Sequence, residues 1–143
     1  MDTAGQKGTG KWSVINAMEL GMPLGLIATA VFERSLSAQK NLREAASKQF
    51  ACQRSQVVYN KPELVVSYAQ GFAVLQKASE TYGWDLDLAS IARMWRGGCI
   101  IRSVFLNDIA AAFEASQKPK HLLLAPYFRE EIKELLSGWK HLV

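Results

Sequence analysis

Apolar residues in this chain recur at three- and four-residue spacing, and nowhere do they alternate with polar ones over the length of a strand. A helix presents residues i, i+3, i+4 and i+7 on one face, whereas a strand presents every second residue. The periodicity therefore predicts an all-α fold, a bundle-like set of helices. At 143 residues the chain has the size of one ordinary domain, able to bury roughly 68–70% of the surface its unfolded form exposes. We expect one domain over residues 1–143, without internal repeats or low-complexity tracts.

Glycine and proline punctuate the pattern. A first helix is predicted from about Thr9 through "KWSVINAMEL", stopped by Gly21. Pro23 suits the first turn of a second helix, whose stripe of Leu24, Ile27, Ala28, Val31 and Ser35 faces inward. Nothing breaks that helix before Phe50, roughly 40 Å on. "ACQRSQVVYNKP" reads as a loop, and Pro62 restarts a helix striped by Leu64, Tyr68, Phe72 and Leu75 and ended by Gly83. Asp85 or Asp87 caps a fourth helix, "LASIARMW", which Gly97 and Gly98 interrupt, allowing a kink or a close helix approach. A fifth runs through "CIIRSVFLNDIAAAF", with Trp95, Ile101 and Phe105 in the core. Pro119 and Pro126 mark a connection, and the last helix turns Phe128, Ile132, Leu135, Leu136, Trp139 and Leu142 inward. It reaches Val143 with neither a cap nor a Gly/Pro stop, and reads as cut rather than finished.

Composition narrows the function classes. A chain 49% hydrophobic and 21% charged is ordinary for a soluble globular protein. The net charge of +4 is spread along the chain, with no basic tract interleaved with aromatics. That disfavours nucleic acid and suits an anionic small molecule. Cys52 and Cys99 are far apart and His121 and His141 are isolated, so we expect no metal site and two free thiols in a reducing compartment. The longest apolar run, "GMPLGLIATAVF", is too short to cross a bilayer, and no apolar signal-peptide core precedes it. The expected location is cytoplasmic, away from membranes.

One stretch invites a chemical reading. In "AGQKGTGKWS", Gly5, Gly10 and Lys11 reproduce most of a Walker A loop, but Trp12 stands where a Ser or Thr hydroxyl would hold magnesium. The strand such a loop needs has no room before Gly5. If a helix begins near Gly10, its first amides lack intrahelical partners, and Lys7 and Lys11 sit at the positive end of its dipole. An anion there would satisfy both, with glycines 8 and 10 allowing close approach; the alternative is a flexible lead-in with solvated lysines. Arg34 lies roughly 20° from Ile27 on a helix turning about 100° per residue, at the margin of the apolar stripe. Its charge calls for a phosphate or carboxylate partner, or for a head that snorkels to water. Glu33 points nearly opposite. Arg96 and Arg102 in "MWRGGCIIRSVF" read as solvated or salt-bridged rather than as an anion site, and Glu130 and Glu131 as helix surface. No Ser/His/Asp, Cys/His or metal-ligand constellation can be assembled, so no catalytic residue is assigned within the chain.

"DTAGQKGTGKWSVINAMELGMPLGLIATAVFERSLSA", "SYAQGF" and "IARMWRGGCIIRSVFL" together resemble the decarboxylating 6-phosphogluconate dehydrogenases over essentially the whole chain. The resemblance implies the family's C-terminal all-helical domain, with the NADP-binding Rossmann domain and the C-terminal tail lying beyond it. It implies that the base lysine and acid glutamate belong to segments before this chain, and that the tail's Arg and His would serve a neighbouring subunit. Lys7 matches a substrate-binding lysine and Arg34 an arginine on the substrate phosphate; no ligand contact is carried to Lys11 or Trp12. Glu33 replaces a small residue of the family's pattern, and the segment from Gln49 to Lys61 is shorter than in many members. The parent reaction oxidises 6-phosphogluconate with NADP and releases carbon dioxide and ribulose 5-phosphate. The chain would supply substrate-phosphate binding and much of a homodimer interface, binding no cofactor alone and having no dehydrogenase activity alone. The competing readings are a helical dimerisation module without ligand and, further off, a P-loop hydrolase.

Overall fold

The computed structural model describes residues 3–50, 61–99 and 101–139. Among the described residues all regular structure is helical, and the chain divides into two compact units, Met1–Tyr59 and Asn60–Val143.

The first unit holds α1 (Thr9–Glu19), α2 (Gly25–Ala38) and α3 (Lys40–Gln49). Gly21 ends α1 as expected: its N–H bonds the Met18 carbonyl at 3.1 Å and the Met22 N–H reaches the Ala17 carbonyl at 2.8 Å. Those paired bonds make a Schellman stop, which satisfies two carbonyls the helix leaves open. α1 crosses α2 at Gly10, where a built Cβ would lie only 2.9 Å from Val31 Cγ2. Ala17 and Leu24 are buried, and Ile27, Ala28, Val31 and Ser35 are half-buried along the expected stripe.

Two boundaries differ from the sequence reading. α2 starts at Gly25, so Pro23 precedes the helix instead of opening it. It also stops at Ala38 rather than Phe50, with Gln39 at φ −83° and ψ 56°. A straight helix would give the Ser37 carbonyl to the amide four residues on. Here it accepts Arg43 Nε at 3.2 Å instead. A side-chain donor thus replaces a backbone one, without a glycine or proline to announce the break.

The second unit comprises α4 (Lys61–Tyr82), α5 (Leu88–Arg96), α6 (Phe105–Glu114), a 3₁₀ turn at Leu122–Leu124 and α7 (Pro126–Trp139). Its core is Val65, Phe72, Leu106, Ile109, Leu122 and Phe128, all nearly inaccessible, each contributing about 1.5–3 kcal/mol by burial. Phe72 is central, tilted against Trp95 at 5.1 Å and Phe113 at 5.4 Å between ring centroids. The α4 stripe turns on Val65 and Ala69 beside Tyr68 and Phe72, whereas Leu64 is exposed. Gly83 ends α4, with the Trp84 N–H on the Ser79 carbonyl at 3.1 Å. Of the two candidate caps, Asp87 serves α5: its carboxylate accepts the Ala89 and Ser90 amides. The Ser90 hydroxyl bonds it as well and, with those amides, holds the Asp87 pKa below the usual carboxylate value.

The glycine pair closes α5, with Gly97 as its cap and Gly98 at φ 93°. α6 then begins at Phe105, six residues later than Cys99, and Ile101 is exposed rather than core. The intervening backbone is used differently: the partly buried Tyr68 hydroxyl donates to the Ile101 carbonyl. That burial raises the Tyr68 pKa, with a Ser103 hydrogen bond pulling weakly the other way. Pro126 proves to be the first residue of α7, where a missing N–H costs nothing. Phe128 is buried and Ile132 packs against the core. The expected inward roles of Leu135, Leu136, Trp139 and Leu142, the loop at residues 51–60, and Cys52 and His141 lie outside what is described.

Candidate functional site: the loop before α1 against α2

Gly8 caps α1 at φ 104°, a left-handed conformation that only glycine adopts without strain. It has no side chain with which to cap, and the first helical bond is Trp12 N–H to the Gly8 carbonyl at 2.9 Å. The amides of Thr9, Gly10 and Lys11 therefore have no partner within the helix. The Trp12 ring lies across Gly8, 3.5 Å from where a Cβ would stand. So the residue that spoils the Walker pattern packs over the loop it follows. Residues 3–8 form no strand, and this lead-in fits neither a nucleotide P-loop nor the strand-to-helix turn of a dinucleotide site.

α2 holds the same loop from the other side. Arg34 Nη1 donates to the Gly5 carbonyl at 2.6 Å, the Ala4 N–H to Ser37 Oγ at 2.9 Å, and Gln6 Nε2 to Ser35 Oγ at 3.3 Å. Lys7 is the single residue between this strapped segment and the Gly8 cap. Two residues of chain span at most about 7 Å, so the Lys7 backbone stays beside the Gly5 carbonyl that Arg34 grips. Arg34 and the backbone that carries Lys7 thus belong to one small structure. Arg34 and Lys7 are exposed, and Glu33 faces solvent as expected.

The sequence offered Arg34 either an anionic partner or a head snorkelling to water; the residue is exposed and its guanidinium bonds a neutral carbonyl. A guanidinium carries five donors in one plane, so the bond at Nη1 leaves others for an anion. The Lys7 ammonium and the α1 amides lie on the same stretch of chain as the Gly5 carbonyl, and residues 3–11 include no carboxylate or imidazole to act as a general base. Among the described residues no cluster of three or more His, Cys, Asp or Glu could hold a metal. Ser35, Ser37 and Gln6 were not legible as part of the site. The signal for the serines was two small hydroxyl residues following the arginine in "RSLSA", and contacts 29 to 33 residues apart leave no periodic trace.

Comparison with known proteins decides the family. The family model described as "6-phosphogluconate dehydrogenase, C-terminal domain" matches residues 1–143. The chain belongs to the 6-phosphogluconate dehydrogenase family. It is 47% identical over 156 aligned positions to "6-phosphogluconate dehydrogenase, decarboxylating 1" of Saccharomyces cerevisiae, covering 98% of this chain and 32% of the relative. Against "6-phosphogluconate dehydrogenase, decarboxylating" of Homo sapiens the identity is 43%, covering 99% and 32%. The chain therefore spans about a third of the length of these dehydrogenases. The yeast alignment exceeds the chain's own 143 residues, so that dehydrogenase carries residues within the matched stretch which this domain lacks. A solved Plasmodium falciparum 6-phosphogluconate dehydrogenase superposes with a TM-score of 0.83 at 36% identity, over 98% of this chain and 33% of that one. That enzyme is described in its apo form, with its cofactor NADP+ and with its substrate 6-phosphogluconate.

Proposed function

We propose that this chain is the substrate-phosphate-binding and dimerisation part of an NADP-dependent 6-phosphogluconate dehydrogenase. Residues 1–143 form the C-terminal helical domain of that enzyme, which converts 6-phosphogluconate to ribulose 5-phosphate. Lys7 and Arg34 bind the phosphate. The observation that supports this reading is Arg34 bonded to the Gly5 carbonyl, two residues before Lys7 and three before the Gly8 cap of α1. Family membership and the relative's 6-phosphogluconate complex support it.

A phosphate dianion would accept a charge-assisted pair from the arginine fork and neutralise Lys7 at the positive end of the α1 dipole. The NADP chemistry, the proton transfers and the decarboxylation belong to residues outside this chain, so the chain alone has no dehydrogenase activity. The assembled enzyme is a cytoplasmic homodimer with no role for nucleic acid or membrane; no described helix is long and apolar enough to cross a bilayer. A second reading, a helical packing module without ligand, draws on the exposed Met18, Phe32 and Leu36 of the first unit.

Titration of the isotope-labelled chain with 6-phosphogluconate, and with gluconate as control, separates the two. Saturable NMR shifts at Lys7 and Arg34 that require the phosphate, and vanish in Arg34→Gln while oligomeric state is unchanged, are expected. Equal response to gluconate, or no loss in Arg34→Gln, refutes the phosphate site.

A further inference from the structure

We infer that Ser37 is a positioning residue for Arg34: its hydroxyl holds the Ala4 amide so that the Gly5 carbonyl fixes the guanidinium plane before a phosphate monoester arrives. The inference rests on the proposed phosphate site and adds to it a residue that need not touch the ligand. Arg34 and Ser37 are three apart on α2 and so are neighbours on one helix face. Ala4 and Gly5 are adjacent in the chain, and each is bonded to one of them, at 2.9 and 2.6 Å. With the Ala4 N–H anchored, only the dihedrals of two residues set where the Gly5 carbonyl points. The bond it accepts at Nη1 then orients the whole planar fork, leaving Nη2 and Nε for the ligand.

Ser37 makes a second bond as well. Its carbonyl accepts Arg43 Nε at 3.2 Å, just where α2 breaks off. One residue thus stops the helix with its backbone and holds the N-terminal segment with its side chain. Ser35 performs a weaker version, with its hydroxyl donating to the Val31 carbonyl at 3.0 Å and accepting Gln6 Nε2 at 3.3 Å. Ordering a long arginine before binding removes part of the entropy that binding would otherwise cost.

The test uses the full 143-residue chain with labelled arginine side chains, reading Arg34 Nε relaxation without ligand and the Kd for 6-phosphogluconate. Ser37→Ala should free the Arg34 side chain and raise Kd on the order of fivefold, about the net effect of one hydrogen bond, with helical circular dichroism unchanged. Ser37→Thr, which keeps the hydroxyl, should restore both readouts. Ala4→Pro removes the same bond from its donor side, outside any helix, and should reproduce the loss even if Ser37→Ala disturbs α2. Arg34 as ordered, or Kd as low, in both Ser37→Ala and Ala4→Pro as in the parent chain overturns the positioning role and leaves the phosphate site standing. Absence of phosphate-dependent binding by the parent chain overturns the phosphate site and this inference with it.

Discussion

Gly10→Ala is expected to weaken the first unit, although helix propensity alone favours it. Alanine in a helix is better than glycine by about 0.8–1.0 kcal/mol. Gly10, however, lies at the α1–α2 crossing, and the added Cβ would stand 2.9 Å from Val31 Cγ2, where carbon atoms prefer about 3.5–4.0 Å. Val31 cannot swing away cheaply, because a β-branched residue on a helix is held largely to one χ1 rotamer. The helices must therefore part by about half an ångström, an overpacking that costs about 1–3 kcal/mol. The net expectation is a loss of about 1 kcal/mol. Val31→Ala, which trims a half-buried side chain, should cost a similar amount by itself. In the double variant the clash is gone, so the two losses should fall short of adding by about 1–2 kcal/mol. Urea unfolding followed by circular dichroism gives the totals, and hydrogen exchange of the α1 amides localises the effect. A stabilised Gly10→Ala, or a cycle additive within about 0.3 kcal/mol, would refute the argument that close packing, rather than backbone freedom, requires glycine here.

In the second unit Phe72→Ala should cost about 3–5 kcal/mol, since Phe72 is fully buried between Trp95 and Phe113; calorimetry reads this directly. Tyr68→Phe should cost about 1 kcal/mol for its bond to the Ile101 carbonyl. Burial raises the Tyr68 pKa, so its contribution is complete below the ordinary value of 10.0 and declines as pH rises through the folded pKa. Unfolding curves of Tyr68→Phe should lack that component of the alkaline decline. Asp87 behaves oppositely. The Ser90 hydroxyl lowers its pKa, so its capping is intact above the ordinary 3.8 and is lost as pH falls through the folded value. The α5 amides of Ala89 and Ser90 should then exchange faster at low pH, and Asp87→Ala should show that faster exchange at neutral pH.

Local chemistry made much of this molecule readable from its residues. The stops at Gly21 and Gly83 and the Asp87 cap depend only on groups within one turn of a helix end, so sequence neighbours suffice to foresee them. Of the residues in the proposed phosphate site, Arg34 was marked by its place at the margin of a stripe, whereas the glycine-rich setting marked Lys7 and Lys11 alike and only the family resemblance singled out Lys7. The misread positions share a different cause. Ala38 ends α2 beside an arginine five residues on, Ile101 lies in a non-helical segment whose backbone carbonyl bonds the distant Tyr68, and Val65 displaces Leu64 because neighbouring helices select which edge of the stripe is covered.

The same division holds for the site. By itself the sequence determined that the chain is helical, where most helices stop, and that a glycine-rich lysine loop opens the first of them, because helical periodicity and end-capping are short-range. Only the tertiary structure decided that the loop lies along α2, that Gly10 meets Val31, and that Arg34 is tied to Gly5 and Ser37 to Ala4. Those bonds join residues about thirty positions apart, and no local preference of either partner encodes the other. They form because packing α1 against α2 brings otherwise unpaired donors and acceptors within reach of each other.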